Sequence, residues 1–408
     1  MSTVVTPRVP RAGRALRSTG AIAAATAAAL LVLIGLMALA TPDPIGAVGG
    51  LLTGAVSSPG RAAQWLSYAS FLMLTGASVC LVFRVGMFSI GAEGQVFVGG
   101  LLAGLVALMM GPTPMAIPVG IAAAIVGGFL WALIPGLMKA YLGADEIVTS
   151  LMMNYIGTFL FAFVVKQFLM PEGAGYPVSK FFPHSNWLPT IGTAPAIPST
   201  MILGLAACIL VGVLLDRTRL GYALRMVGDS PRFAHANGLH VPRLIWVSIA
   251  VSGAVAGVAG AAIAFGSTHR LILGMATGLG FDGVLVALLA VNRPMLVPLT
   301  ALAYGYLRTG GDVMQITANV PRDVVVVVQG LLIIALAAAL RRRTGEGRGR
   351  PATGVVAGGP PPGTDTAPPD GNAPAGADAS IPPDSGDPSR PHAPQQRQEV
   401  HDVLGKRP

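Results

Sequence analysis

Charge is what this chain has least of. Asp, Glu, Lys and Arg make up 11% of its 408 residues, against 53% hydrophobic residues. Much of that charge lies at the edges: Arg8, Arg11, Arg14 and Arg17 precede the first apolar run, and residues 341–408 hold nine Lys or Arg with eight Asp or Glu. Residues 20–340 keep only fourteen basic and ten acidic side chains, where a soluble domain has roughly a quarter of its residues charged. That excludes a water-soluble core and places it in a bilayer. Cysteine is nearly missing: Cys80 and Cys208 each sit inside an apolar run, so neither a disulfide framework nor a zinc site is implied. Enzymatic constellations are missing too. The six histidines are scattered over loops and tail, with no HExxH, paired carboxylate site or Gly-x-Ser-x-Gly elbow. There is no GxxxxGK[ST] loop, so any ATP that drives this protein is hydrolysed by another chain. The net charge of +9 is no nucleic-acid footprint, because the basic clusters flank apolar spans instead of covering one face of a soluble fold. No internal repeat of short fixed period is visible.

What is present is a series of apolar runs. A membrane-crossing helix needs about 20 apolar residues with few charges, and the runs at 20–40, 64–84, 88–110, 115–138, 147–169, 199–215, 244–266 and 323–340 qualify. Asn292-Arg293-Pro294 cuts a further run into 281–291 and 295–308. These pieces read as two short helices or a broken, partly re-entrant pair. Counted as two, they give an all-α polytopic membrane protein of about ten transmembrane helices. The four leading arginines and Arg341-Arg342-Arg343 put both termini in the cytoplasm, which requires an even number of crossings. Ala38-Leu39-Ala40 resembles a signal-peptide cleavage pattern, but the run before it exceeds the usual 7 to 15 apolar residues. An uncleaved first helix is expected.

The layout is then a basic cytoplasmic N-terminus over 1–19, a transmembrane core over 20–340 and a tail over 341–408. The tail is rich in Pro, Gly, Ala and Asp, buries too little apolar area to offset chain entropy, and is expected to be disordered. Six prolines and Trp187 mark the outer loop 170–198, either an ordered extracytoplasmic cap or partner contact, or a passive connector.

Three polar segments stand out. Within the loop 216–243, Ser230 suits an N-cap, Pro231 the first helical position and Gly238 the left-handed position past the end, which predicts a short helix over 231–237. Two turns are unstable alone, so this helix must lie against the membrane surface or a partner protein. Next is FSIGAEGQ, residues 88–95. Glu93 is the only acid between Asp43 and Asp145, and an ionisable group at membrane depth is a functional candidate. It equally suits the positive end of a helix dipole. Gly91 and Gly94 allow close backbone approach or a local break. In GADEIVTSLMMNYI, Asp145 and Glu146 read as helix-start acids, whereas Asn154 lies deeper and needs a partner, either a neighbouring helix or a translocated molecule. Asp282 and Gln329 pose the same choice and lean structural.

At these segments the sequence stops being generic. FRVGMFSIGAEGQVFVGG, LGADEIVTSLMMNYIG, TRLGYALRMVGDSPRFAHANGLHVPR with the following SGAVAGVAGA, and GFDGVLVALLAVNRP resemble, in the same order, the hallmark blocks of bacterial ABC-importer permeases. The type is that of branched-chain amino acid and simple-sugar permeases, and within it the branch that takes up nucleosides with basic-membrane-protein-type lipoproteins. The resemblance covers roughly residues 64–340.

It implies a non-catalytic inner-membrane subunit with no cofactor of its own, ATP being bound by a partner ATPase. Other implied partners are a second permease chain, as a heterodimer, and an extracytoplasmic substrate-binding lipoprotein. The segment from Gly221 to Gly238, including Arg225, Asp229 and Pro231, matches the family's ATPase-coupling region. Glu93, Gln95 and Asn154 would line or shape the solute pathway. Two departures are visible: Ser89 and Asp145 stand where the family commonly has Asn. The competing reading is an ion-coupled secondary transporter in which Glu93 is the proton or cation site.

Overall fold

The computed structural model describes residues 43–192 and 196–318, together with Gly35, Pro321, Val324, Val327 and Gly330. Most of the runs at 20–40 and 323–340, Gln329 and both termini lie outside the described residues. Among the described residues the fold is helical apart from a two-residue antiparallel pairing of β1, Thr190–Ile191, with β2, Ile197–Pro198, and an isolated bridge between Val178 and Ile272.

The first helix described in full is α1, Pro44–Thr53, a short apolar helix that the sequence reading did not anticipate. Among the described residues, six helices are long and apolar enough to cross a membrane. They are α2, Pro59–Phe83; α3, Ala92–Met110; α4, Ala116–Leu142; α5, Glu146–Val164, extended by a π-turn to Leu169; α6, Thr200–Arg217; and α9, Val241–Ile263, extended by a π-turn to Thr268. Between α6 and α9 lie α7, Arg219–Asp229, and α8, Pro231–Ala236. The broken run becomes α10, Leu279–Leu289, and α11, Val297–Thr317, the pair bent by 105°. α11 is no short helix: it runs on past 308 through Arg308 and Asp312, whose charges had marked an end to the apolar run.

Helix starts follow local chemistry. Ser58 Oγ accepts from the Arg61 N–H with Pro59 at the first helical position of α2, and Asp145 Oδ1 accepts from the Ile147 and Val148 N–H groups at 2.9 and 3.0 Å to cap α5. α3 begins only at Ala92, because residues 84–91 form a non-helical link in place of the helix expected from 88.

α2 and α9 are the buried centre, while α4, α5 and α6 expose most of their apolar surface. Lipid offers no hydrophobic drive to bring such helices together, so small residues and hydrogen bonds must do it. α9 meets α3 and α4 through Gly253, Gly257 and Gly260, set against Gly128, Ala124 and Val96. A Cβ on Gly128 would overlap the Gly253 carbonyl, and one on Gly260 the Val96 carbonyl. Ser78 and Ser252 hydroxyls join α2 to α9 at 2.8 Å, Ser70 donates to Thr200 across to α6, and the Trp65 indole donates to the Leu302 carbonyl on α11.

Residues 177–188, within the loop 170–198, are folded back onto the link that follows α9. Ser179, Phe182 and Leu188 N–H groups donate to the Leu271, His269 and Phe265 carbonyls, and Asn186 Nδ2 donates to the Gly111 carbonyl beyond the end of α3. Trp187 is sandwiched between His184 and His269, each ring centroid 3.9 Å away. Residues 179–188 of this loop are thus tied to the link after α9 and to the end of α3.

Candidate functional site

The link 84–91 delivers the chain to the start of α3. There Asn154, reaching from α5, uses both ends of its amide: Oδ1 accepts from the Gly94 N–H and Nδ2 donates to the Ile90 carbonyl, each at 2.8 Å. Ser150 Oγ accepts from the Ile90 N–H, and Ser89 Oγ from the Gly91 N–H. Gly94 permits this approach, since a Cβ there would meet the Met153 carbonyl at 2.9 Å. Asn154 therefore shapes the site as a clamp on the start of α3; its amide is engaged by backbone.

Glu93 lies in the first turn of α3, where the exposed N–H groups of the helix favour a negative charge. The start of α10 packs directly on it, a Cβ at Gly280 falling 2.7 Å from Glu93 Cβ. Glu93 Oε2 and Gln95 Oε1 are both buried with no hydrogen-bond partner among the described residues, and Gln95 is 3% exposed. Two short-looped helix starts thus meet around an acid, with two buried acceptors left open. Such groups are expensive to bury unpaired and are matched by donors such as hydroxyls.

Asp282, one turn into α10, is held differently. Tyr68 donates to its Oδ2 at 2.7 Å from α2 and Tyr304 donates to its Oδ1 from α11. Arg308 lies within electrostatic reach of it. The structural role expected for Asp282 is the one seen: it ties α10 to both neighbours.

The second site is formed by α7 and α8. Thr218 Oγ1 caps α7 by accepting from the Gly221 N–H, and a Cβ on Gly221 would overlap the Leu214 and Leu215 carbonyls at the end of α6. Arg225 Nη1 lies 3.5 Å from Asp216 Oδ1. Asp229 ends α7 in an exposed position. Ser230 Oγ accepts from the Phe233 N–H, Pro231 stands first in α8, and Gly238 has φ +79°. The N–H groups of Gly238 and Leu239 return to the His235 and Ala234 carbonyls, the Schellman arrangement that glycine permits. The expected helix is present and ends at Ala236, one residue early, because Asn237 has already left helical geometry. A groove of about 470 Å³ runs between α7 and α8, flanked by Tyr222 and Phe233, which are 60% and 59% exposed.

The profile of a family described as branched-chain amino acid transport system / permease component matches residues 61–337. The chain belongs to this family. It is a non-catalytic, multi-pass membrane subunit of an ABC transporter, ATP being bound by a partner ATPase, which displaces the ion-coupled reading of Glu93. The permease is similar to the guanosine ABC transporter permease protein NupP of Bacillus subtilis, at 32% identity over 65% of this chain and 77% of that protein. It is similar to the glucose ABC transporter permease protein TsgB13 of Haloferax volcanii, at 30% over 74% and 82%. The nucleoside ABC transporter permease protein NupB of Lactococcus lactis is 28% identical over 72% and 84%.

Around these two sites, sequence reasoning missed two features. α7 was unassigned, although Thr218 followed by Gly221, Leu224 and Val227 is a cap and a helical stripe, and these three are its buried face. The tyrosine pair on Asp282 left no local signal, since Tyr68 lies 214 residues away.

Proposed function

We propose that this permease carries nucleosides, or a related sugar-like solute, into the cell. The observation that carries the reading is the pair of open, buried acceptors, Glu93 Oε2 and Gln95 Oε1, at the start of α3. Acceptors in a water-poor site call for a solute rich in hydroxyl and N–H donors, and the names of the guanosine, nucleoside and glucose permeases similar to this chain agree in that chemistry. Glu93 and Gln95 line the pathway in this reading. Asn154 shapes it.

Gly221, Arg225, Asp229, Pro231 and Gly238 shape the contact with the ATPase. The capped two-turn helix α8, too short to stand alone, supports this, as does the aromatic-flanked groove beside it. With the runs at 20–40 and 323–340 added, and α10 and α11 counted separately, about ten crossings result, with both termini in the cytoplasm. The basic segment 1–19 and the tail 341–408 then flank a transmembrane domain over 20–340 in the plasma membrane. The loop over 170–198 faces the outside in this topology and supports contact with a substrate-binding lipoprotein, and with it a larger permease chain paired with a second, different one.

The test is reconstitution of the permease in proteoliposomes with its second permease chain, ATPase and lipoprotein. ATP-dependent uptake of guanosine is expected, lost with Glu93→Ala and Gln95→Ala together, and lost with Arg225→Glu through failure to retain the ATPase. Uptake by the permease alone without ATP overturns the reading.

A further inference from the structure

The two sites just described touch. α7 is seated at one end on α6 through Gly221, and at its other end its last turn lies on the link 84–91. A Cβ on Gly86 would sit 3.3 Å from the Gly228 carbonyl oxygen and 3.5 Å from Gly228 Cα. Conversely, a Cβ on Gly228 would overlap the Arg84 carbonyl and lie 3.2 Å from the Gly86 nitrogen. Gly86 also has φ +77°, a conformation that other residues adopt only under strain. Here backbone rests on backbone, with no side chain between to absorb a displacement.

From Gly86 the link runs five residues to Gly91. It is stiffened at Phe88, whose ring stacks on Phe83 with centroids 5.1 Å apart and planes at 17°. It ends in the hydrogen bonds of Ile90 to Ser150 and Asn154, and so at the start of α3 with Glu93. One end of this short segment is thus pressed by the helix that precedes α8, and the other sets the mouth of the pathway.

A further observation makes the joint a candidate for two arrangements. Arg84 Nε, in the residue whose carbonyl Gly228 covers, is buried with no hydrogen-bond partner among the described residues. A buried donor left open disfavours the arrangement that leaves it so. Packed elements of this kind switch between discrete states rather than deform continuously.

We propose that Gly86 and Gly228 are positioning residues for transport: their backbone contact is the joint through which movement of α7 and α8 displaces the 84–91 link and the start of α3. The proposal rests on the reading of α7 and α8 as the ATPase contact, and the experiment separates the two. Amide hydrogen exchange is followed in the assembled complex in nanodiscs, with and without the ATPase, and with and without the non-hydrolysable nucleotide AMP-PNP.

Adding the ATPase is expected to protect residues 226–236, and AMP-PNP to change exchange at 226–236 and at 84–95 together. In Gly228→Ala the response at 226–236 persists, while that at 84–95 falls at least about threefold. No protection of 226–236 by the ATPase overturns the contact reading and the joint with it. A response at 226–236 with none at 84–95 in the unsubstituted complex overturns the joint alone, as does a Gly228→Ala complex in which 84–95 still responds fully. Should Gly228→Ala fail to assemble, the two exchange windows of the unsubstituted complex decide.

Discussion

Asn154 and Gly94, sixty residues apart in sequence, are joined by a 2.8 Å hydrogen bond from the Gly94 N–H to the Asn154 side-chain oxygen. The same amide donates to the Ile90 carbonyl. Interhelical hydrogen bonds in membranes average well under 1 kcal/mol, because the alternatives also find partners. Here the partners are backbone groups at a helix start, fixed in place and left open when the amide is removed, which raises the cost to about 2 kcal/mol. Asn154→Ala is expected to lower the unfolding free energy of the permease in detergent by that amount and to speed hydrogen exchange at Gly94. Unchanged stability together with unchanged exchange would show that Asn154 does not clamp α3.

Asp282 offers a sharper test, since two tyrosines depend on one carboxylate. Asp282→Ala leaves two buried hydroxyls open and is expected to cost about 3 kcal/mol or more, against about 1 kcal/mol for Tyr68→Phe alone. The two changes should be strongly non-additive, with a coupling of roughly 1 kcal/mol, as for residues sharing one network. Additive losses in a double-mutant cycle would mean that the tyrosines are held by something else.

The contact of α4 with α9 has no room for a methyl group. Gly128→Ala forces a Cβ into the Gly253 carbonyl, and overpacking of this kind costs about 1–3 kcal/mol. Lower yield, a lower melting temperature and aggregation on size exclusion are expected. Gly49→Ala on α1, where nothing lies within 4 Å, is the control and should be neutral. If both variants melt alike, the glycine contact does not hold these helices together.

How much of this was legible beforehand depended on the range over which each signal acts. Ser230, Pro231 and Gly238 act within one turn, so α8 was readable to within a residue, as was the Asp145 cap. α7 was hidden because Arg219, Arg225 and Asp229 break any apolar run, although its buried stripe is small and regular. α11 was cut short for a related reason: Arg308 and Asp312 look like a membrane boundary until Asp282 is seen within reach of Arg308. Asn154 was known to need a partner, but two partners were open to it. Only the folded chain brings Ile90 and Gly94 to its amide.

The segment packed on Trp187 should respond to pH through His269. Burial against Trp187 and, secondarily, the neighbouring His184 push its pKa below the ordinary 6.5, while the hydrogen bond to the Phe265 carbonyl opposes them. A proton therefore binds the docked ring less readily than the released one. The stabilisation is complete above 6.5 and is lost as pH falls through the depressed value. Comparing about pH 7.5 with about pH 5.5, and correcting for intrinsic rates, exchange at Phe182 and Leu188, whose N–H groups hold this segment, should accelerate, and Trp187 fluorescence should change with it. His269→Gln should flatten both responses, because glutamine keeps a donor for Phe265 but has no proton to gain. Protection that grows at the lower pH would reverse the sign of the argument and show that the charged ring prefers the Trp187 face.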